Sequence, residues 1–143
     1  MYKVRKLFKF EAAHVLEGAY SNECKYIHGH SYRLEVFLTS HALNQDGMVI
    51  DFKELKELVQ VYIDAFDHCF IIKSTKNISL DFSDYKFFEL EVNPTAENMA
   101  EWFYKEIERD LFVKYGVRIV LDKVRLWETD TGYAEYYKKR GGE

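Results

Sequence analysis

Residues 24–39 read CKYIHGHSYRLEVFLT, and this stretch joins a histidine pair to a strand. From residue 32 onward two sets of side chains alternate, which is the period of a strand with one buried face. The set predicted to be buried is Tyr32, Leu34, Val36 and Leu38. Residues 2–13 alternate similarly and end directly before His14. The sequence therefore predicts two strands that meet three histidines at one end.

Those three histidines are typical of a catalytic zinc site. In an extended strand, His28 and His30 point to the same side about 6.6 Å apart, and Gly29 between them leaves the opposite side open. Together with His14 they would give three neutral nitrogen ligands and leave the fourth tetrahedral position free for substrate oxygen. A His-x-His pair alone is weak evidence, because histidines also fill cores and cap loops. The third histidine and a nearby cysteine favour the metal.

Cys24 lies four residues before His28 and has three interpretations at this point. It could be a nucleophile or base beside the metal, or a fourth ligand that closes the site. It could also be a small buried apolar side chain, as many free cysteines are. The residues alone leave these alternatives open.

Composition favours one compact domain over residues 1–143, because the chain is 48% hydrophobic and 17% aromatic but too short for two cores. Two cysteines make no disulfide framework, and no amino-terminal apolar run suggests a signal peptide or a membrane span. We therefore expect a cytoplasmic protein. The net charge of −4 argues against nucleic acid or an anionic membrane as a partner.

Two helices separate the strands. Apolar residues at helical spacing begin at Phe52, after Asp51 as a predicted cap, and a second helix is predicted over residues 95–115. Strand-like runs follow at 117–128 and 132–138, whereas residues 69–92 are hard to interpret and offer only a short edge strand near 87–92. This order predicts an α+β fold, an antiparallel four-stranded sheet with two helices on one face.

The other face of such a sheet would have no cover within one chain. Eleven tyrosines and eleven phenylalanines exceed what this small core needs. We therefore expect self-association, with sheet edges joined between subunits. The alternative is a tyrosine-rich surface exposed to solvent.

Six motifs occur in an order that resembles the 6-pyruvoyl-tetrahydropterin synthase superfamily. They are Phe10-Glu-Ala-Ala-His14, Cys24-x-x-x-His28-Gly-His30-Ser-Tyr32, Gly47-Met-Val-Ile-Asp-Phe52, Asp67-His68, Asn93-Pro-Thr-Ala-Glu-Asn98 and Trp127-Glu-Thr129. The three residues between Cys24 and His28 are the spacing of the bacterial branch that forms 6-carboxy-5,6,7,8-tetrahydropterin. The stretch between His68 and Pro94 is longer than in compact members.

The resemblance implies the tunnelling fold, in which three subunits join their sheets into a barrel and two such rings stack as a homohexamer. It also implies a zinc-dependent lyase that converts 7,8-dihydroneopterin triphosphate to 6-carboxy-5,6,7,8-tetrahydropterin, a precursor of deazapurines such as queuosine. Formation of 6-pyruvoyl-tetrahydropterin is the alternative within enzymes. A pterin-binding or metal-binding module without turnover is the alternative outside them.

By the same resemblance, His14, His28 and His30 hold the zinc and Cys24 is the catalytic base. His68 would be the histidine partner of Cys24, with Asp67 beside it, although neighbouring side chains rarely bond each other well. Glu128 would anchor the pterin, since a carboxylate can accept two parallel N–H bonds from its amino-pyrimidinone edge. Thr95 would touch the pterin or, equally well, cap a helix.

Overall fold

In the computed structural model, residues 1–19, 21–78 and 80–141 are described, and they form an α+β fold. The strands are β1 (Tyr2–His14), β2 (His28–Ser40), β3 (Cys69–Ile72), β4 (Phe87–Glu89), β5 (Val120–Thr129) and β6 (Gly132–Tyr136). The helices are α1 (Asn22–Lys25), α2 (Phe52–Phe66) and α3 (Ala96–Tyr115), with 3₁₀ turns at Thr75–Asn77 and Phe82–Asp84.

The sheet has six strands in the order β4-β3-β1-β2-β5-β6. The predicted four-stranded antiparallel sheet is therefore not confirmed. β1, β2, β5 and β6 do pair antiparallel, but β3 runs parallel to β1 and β4 runs parallel to β3, which makes the sheet mixed. Cys69–Ile72 is four consecutive buried apolar residues, so it shows no alternation that would mark a strand. Within the segment 69–92, position 79 lies outside the described residues.

Pairing between β1 and β2 brings the predicted metal ligands together. His14 is opposite His28, and Ala12 is opposite His30, so all three imidazoles lie at one end of the strand pair. The even-numbered side chains face the helices, since the Phe10 ring packs against Phe66 of α2 and Phe103 of α3, with ring centroids 6.1 and 5.8 Å apart. The site is therefore built on the end of the best-paired part of the sheet.

Both long helices begin after a residue that caps them, and α3 ends at a glycine. The Asp51 side chain accepts a hydrogen bond from Lys53 N at 2.8 Å, which caps α2. Thr95 Oγ1 accepts one from Asn98 N at 3.2 Å, so Thr95 caps α3. Gly116, with a φ of +61°, ends α3. None of the helices in the described part of the chain is long and apolar enough to cross a membrane.

The odd-numbered side chains of β1 and β2 form the opposite face of the sheet, and this face is largely polar. Glu35 is only 7% exposed there. Its carboxylate accepts hydrogen bonds from Arg5 at 3.0 Å and from the Trp127 indole at 2.6 Å. A nearly buried carboxylate is tolerated because it is paired and hydrogen-bonded.

Candidate functional site

The three predicted histidines form a compact cluster at the joined ends of β1 and β2. His14 Nε2 lies 2.9 Å from His28 Nε2 and 3.2 Å from His30 Nε2. The ligand nitrogens of all three lie within 4.8 Å of one another. Tetrahedral zinc, with Zn–N distances of about 2.0–2.1 Å, places neighbouring nitrogens about 3.3 Å apart. The spacing of the cluster is therefore compatible with one bound metal ion.

Backbone carbonyls determine which nitrogen of the His14 and His28 rings is free. His14 Nδ1 lies 2.8 Å from Pro94 O, and His28 Nδ1 lies 2.6 Å from Tyr26 O. A carbonyl only accepts, so each Nδ1 carries the proton and each neutral ring presents a bare Nε2 lone pair. Two bare lone pairs 2.9 Å apart repel each other unless a cation lies between them. The donor set of this site therefore fits a metal.

Burial keeps the His14 and His30 rings in the neutral form that binds metals. His14 is 1% exposed, and burial lowers its pKa to about 4 despite the bond to Pro94 O. Burial also lowers the pKa of His30, with Glu128 opposing the effect. These two rings can thus bind a cation near neutral pH without first losing protons.

Tyr32 contacts the histidine cluster from the buried core. The sequence pattern predicted it only as a core residue. Its hydroxyl lies 3.3 Å from His14 Nδ1, and its side chain is 1% exposed. Burial raises the pKa of this hydroxyl, so it stays protonated. Tyr32 and Pro94 O together fix the orientation of the His14 ring. The strand period predicted the burial of Tyr32 but gave no sign of this contact.

Glu128 lies at the end of β5, between the cluster and a cavity. Its Oε1 is 3.6 Å from His30 Nε2. The cavity has a volume of about 280 Å³ and is lined by Leu16, Thr95, Ala96, Glu97, Glu128, Thr129, Gly132 and Tyr133. The structure thus brings Glu128 and Thr95 together beside the histidines, and the cap role of Thr95 leaves its hydroxyl proton free to donate.

Asp67 and His68 form a second corner of the site, and His68 lines one cavity together with His30. His68 Nδ1 lies 3.0 Å from Asp67 Oδ1, although contacts between adjacent side chains were expected to be poor. The contact forms because His68 has a φ of +54°, which turns its side chain back over Asp67. Glu11 fixes the turn, since its N–H donates to Asp67 Oδ1 at 2.9 Å and its carbonyl accepts from His68 N at 2.6 Å. The Glu11 N–H lowers the pKa of Asp67, and His68 lowers it further.

Cys24 lies in α1, in the connection between β1 and β2, and its side chain is partly exposed. Its backbone is held by Ser21 Oγ at 3.4 Å and by Leu16 N at 2.9 Å. Cys24 is not a member of the metal-binding cluster found among the described residues. Within those residues no hydrogen bond or ion pair joins Cys24 to His68 either. One chain therefore does not bring the predicted base and its histidine partner together.

Comparison with known proteins agrees with this geometry. The family model described as 6-pyruvoyl tetrahydropterin synthase matches residues 3–139. The 6-carboxy-5,6,7,8-tetrahydropterin synthase of Haemophilus influenzae is 32% identical over 146 residues, which cover 95% of this chain and 99% of the relative. The enzyme of the same name from Aquifex aeolicus is 34% identical over 158 residues, covering 94% and 97%.

Solved structures share the fold at lower identity. An uncharacterized protein from Wolinella succinogenes superimposes with a TM-score of 0.81 at 22% identity, covering 96% of this chain and 98% of that one. The 6-pyruvoyl tetrahydropterin synthase of Plasmodium vivax gives a TM-score of 0.72 at 18% identity, covering 98% and 100%. At these sequence identities, the two structures support a shared fold and nothing further.

Proposed function

Because the chain belongs to the 6-pyruvoyl tetrahydropterin synthase family, we propose that it converts 7,8-dihydroneopterin triphosphate to 6-carboxy-5,6,7,8-tetrahydropterin. The observation that carries this proposal is the group of converging Nε2 lone pairs directly beside Glu128 and its cavity. In that arrangement, a metal ion held by the histidines would bind substrate oxygens. The Glu128 carboxylate would accept hydrogen bonds from a nitrogen-rich ring on the other side.

The sequence relatives favour the carboxy product over the pyruvoyl product. Relatives named 6-carboxy-5,6,7,8-tetrahydropterin synthase are 32% and 34% identical over almost the whole chain. Solved proteins named 6-pyruvoyl tetrahydropterin synthase are 18–23% identical and support the fold only. The short spacing from Cys24 to His28 points the same way.

His14, His28 and His30 would hold zinc, as three neutral nitrogens suit that metal and leave one position open. Bound there, zinc would act as a Lewis acid toward the hydroxyl oxygens of the substrate side chain. Pro94 O and Tyr26 O keep the His14 and His28 rings oriented, whether or not substrate is bound.

Glu128 would orient the pterin in the adjoining cavity. Its carboxylate can accept two parallel N–H bonds from the amino-pyrimidinone edge, and its side chain is 32% exposed, so it remains reachable. Thr95 lines the same cavity and could donate its hydroxyl proton to the ring while its oxygen caps α3. These two contacts would place the side chain of the pterin toward the histidine cluster.

Cys24 and His68 would move the proton. The His68 ring gives its Nδ1–H to Asp67, so Nε2 is a lone pair, and the side chain is 78% exposed. That nitrogen can accept the Cys24 thiol proton, and the resulting thiolate can remove a proton from the carbon beside a substrate hydroxyl. Asp67 would hold the ring and stabilise the imidazolium that forms.

A second copy of the chain would join these groups, because one chain leaves them apart. β3 pairs with β1 only through Ala12–His14, and Glu11 bonds the Asp67–His68 turn, so the outer edge of β1 from Tyr2 to Phe10 has no strand partner among the described residues. The outer edge of β6 is equally unpaired in the described sheet. Joining β1 of one copy to β6 of the next would remove both edges, close a barrel and bring the His68 corner of one copy toward the pterin end of the other. We propose a cytoplasmic homohexamer of two such rings.

The proposal is tested by supplying zinc-loaded protein with 7,8-dihydroneopterin triphosphate and identifying the pterin product by mass. The expected product carries a carboxylate at position 6, with release of a two-carbon aldehyde and triphosphate. An intact three-carbon side chain would assign the pyruvoyl-forming activity instead. Substrate binding without consumption would overturn the enzyme proposal in favour of a binding module.

A further inference from the structure

A lysine outside the predicted site holds the turn that carries Asp67 and His68. Lys86 directly precedes β4, and its carbonyl accepts a hydrogen bond from Phe70 N at 2.9 Å. Its ammonium group reaches back and donates to Asp67 O at 2.7 Å and to Asp64 O. The segment after β3 is thereby tied to the C-terminal end of α2.

The end of α2 lacks the cation that a helix C-terminus favours. The last carbonyls of a helix have no partner inside it and carry partial negative charge. α2 has no basic residue in its own last turn and is followed by the acidic Asp67. Lys86 supplies both the charge and two hydrogen-bond donors. Its position in a segment that sequence patterns describe poorly explains why it was not predicted.

The turn held in this way is strained. His68 is the only non-glycine residue in the described ranges with a positive φ, at +54°. Such a conformation persists only where surrounding contacts enforce it. Glu11 holds the turn on the β1 side, through bonds of 2.6 and 2.9 Å. Lys86 holds the same turn on the α2 side, so Asp67 and His68 are fixed by hydrogen bonds from both β1 and Lys86.

We propose that Lys86 is a positioning residue for His68: it fixes the left-handed turn so that Asp67 receives the Nδ1 proton and Nε2 points outward. The expected loss of turnover on replacing Lys86 rests on the proposed function of His68. The expected change in the tautomer of the His68 ring does not. Among the described residues, the Lys86 ammonium group donates hydrogen bonds to the carbonyls of Asp64 and Asp67, and its charge also lowers the pKa of Asp67, so it acts through the Asp67–His68 pair.

Nitrogen NMR of protein labelled with ¹⁵N-histidine tests the ring directly, with the His68 signals assigned by their loss in His68→Gln. In the wild type, neutral His68 should carry its proton on Nδ1. In Lys86→Met the signals should shift toward the tautomer protonated on Nε2, and Lys86→Arg should restore the wild-type pattern. Lys73→Met, which removes an exposed lysine from the same segment, should leave the spectrum unchanged.

Kinetics of the same variants provide a second readout. Lys86→Met should lower kcat about 10-fold with KM almost unchanged, because charged hydrogen bonds to the turn are lost but no substrate contact is. Zinc content, oligomeric state and the folded circular dichroism spectrum should match the wild type, and Lys86→Arg should recover most of the rate. If Lys86→Met fails to fold, Lys86→Gln, which keeps a donor without the charge, replaces it.

An unchanged His68 tautomer in Lys86→Met would overturn the proposal, whatever the kinetics. A raised KM with an unchanged ring spectrum would also overturn it, since Lys86 would then be a substrate-binding lysine. If the wild type does not consume the pterin at all, the proposed function fails, and the NMR comparison still decides whether Lys86 positions His68.

Discussion

The histidine cluster and the Asp67–His68 corner lie near the same end of the sheet but differ in how complete they are. His14 is 1% exposed, and its ring is oriented by Pro94 O and the Tyr32 hydroxyl of the same chain. His68 is 78% exposed, held through one nitrogen and open at the other. Under the proposed function, one chain would be sufficient to build the metal site, whereas proton transfer would require His68 from a second copy.

The largest effect is expected in the cluster. His28→Ala removes one of three converging nitrogens, so the protein should lose its metal and, with it, all measurable turnover. Metal analysis after gel filtration checks the first point and the pterin assay the second. His41→Ala, which removes an exposed histidine outside the cluster, should keep about one zinc per chain. Full zinc occupancy in His28→Ala would refute the three-histidine site.

The Cys24→Ala variant shows whether Cys24 is a catalytic base or a metal ligand. Turnover should fall by roughly 10² or more, the scale of a positioned acid or base, while zinc and assembly stay intact. Cys69→Ala is the matched thiol control: burial raises the pKa of Cys69 to about 11, so this thiol is not ionised at neutral pH and its loss should leave the rate near wild type. Loss of zinc from Cys24→Ala would make Cys24 a metal ligand instead.

The histidine cluster could be predicted from the sequence because it follows from strand geometry. The Asp67–His68 contact could not be predicted in this way. Alternation placed His28 and His30 on one face, and antiparallel pairing brought His14 opposite them. The Asp67–His68 contact requires a positive φ at a non-glycine residue, which no residue pattern signals. β3 was missed for a similar reason, because a short buried strand shows no period that distinguishes it, whereas β4 lies within the short edge strand predicted near residues 87–92.

A smaller effect is expected when Asp67, the acidic residue beside His68, is replaced. Asp67→Asn keeps the size of the side chain but removes the charge that stabilises a protonated His68, so turnover should fall about 10-fold with zinc unchanged. Asp64→Asn, an exposed acid at the end of α2, serves as control and should stay near wild type. An equal loss in both variants would indicate a general effect of charge.

The smallest effect concerns the helix that supports the cluster. Thr95 caps α3 and follows Pro94, whose carbonyl orients His14. Thr95→Ala should lower the free energy of unfolding by about 1 kcal/mol, the usual value of an N-cap, as measured by denaturant titration of the metal-free protein. Thr95→Ser should restore the stability. A large rise in KM without loss of stability would show that the pterin contact outweighs the cap.

Complementation between two inactive variants tests most directly whether a second copy completes the site. Cys24→Ala and His68→Ala chains are co-expressed with different affinity tags, and mixed assemblies are isolated over both. If Cys24 of one copy works with His68 of another, random mixing should restore about a quarter of the wild-type sites and a similar share of the activity. The control pair, Cys24→Ala with His28→Ala, should restore none, because those two residues serve the same site from the same chain. No recovery from the first pair, or equal recovery from both, would contradict the shared site.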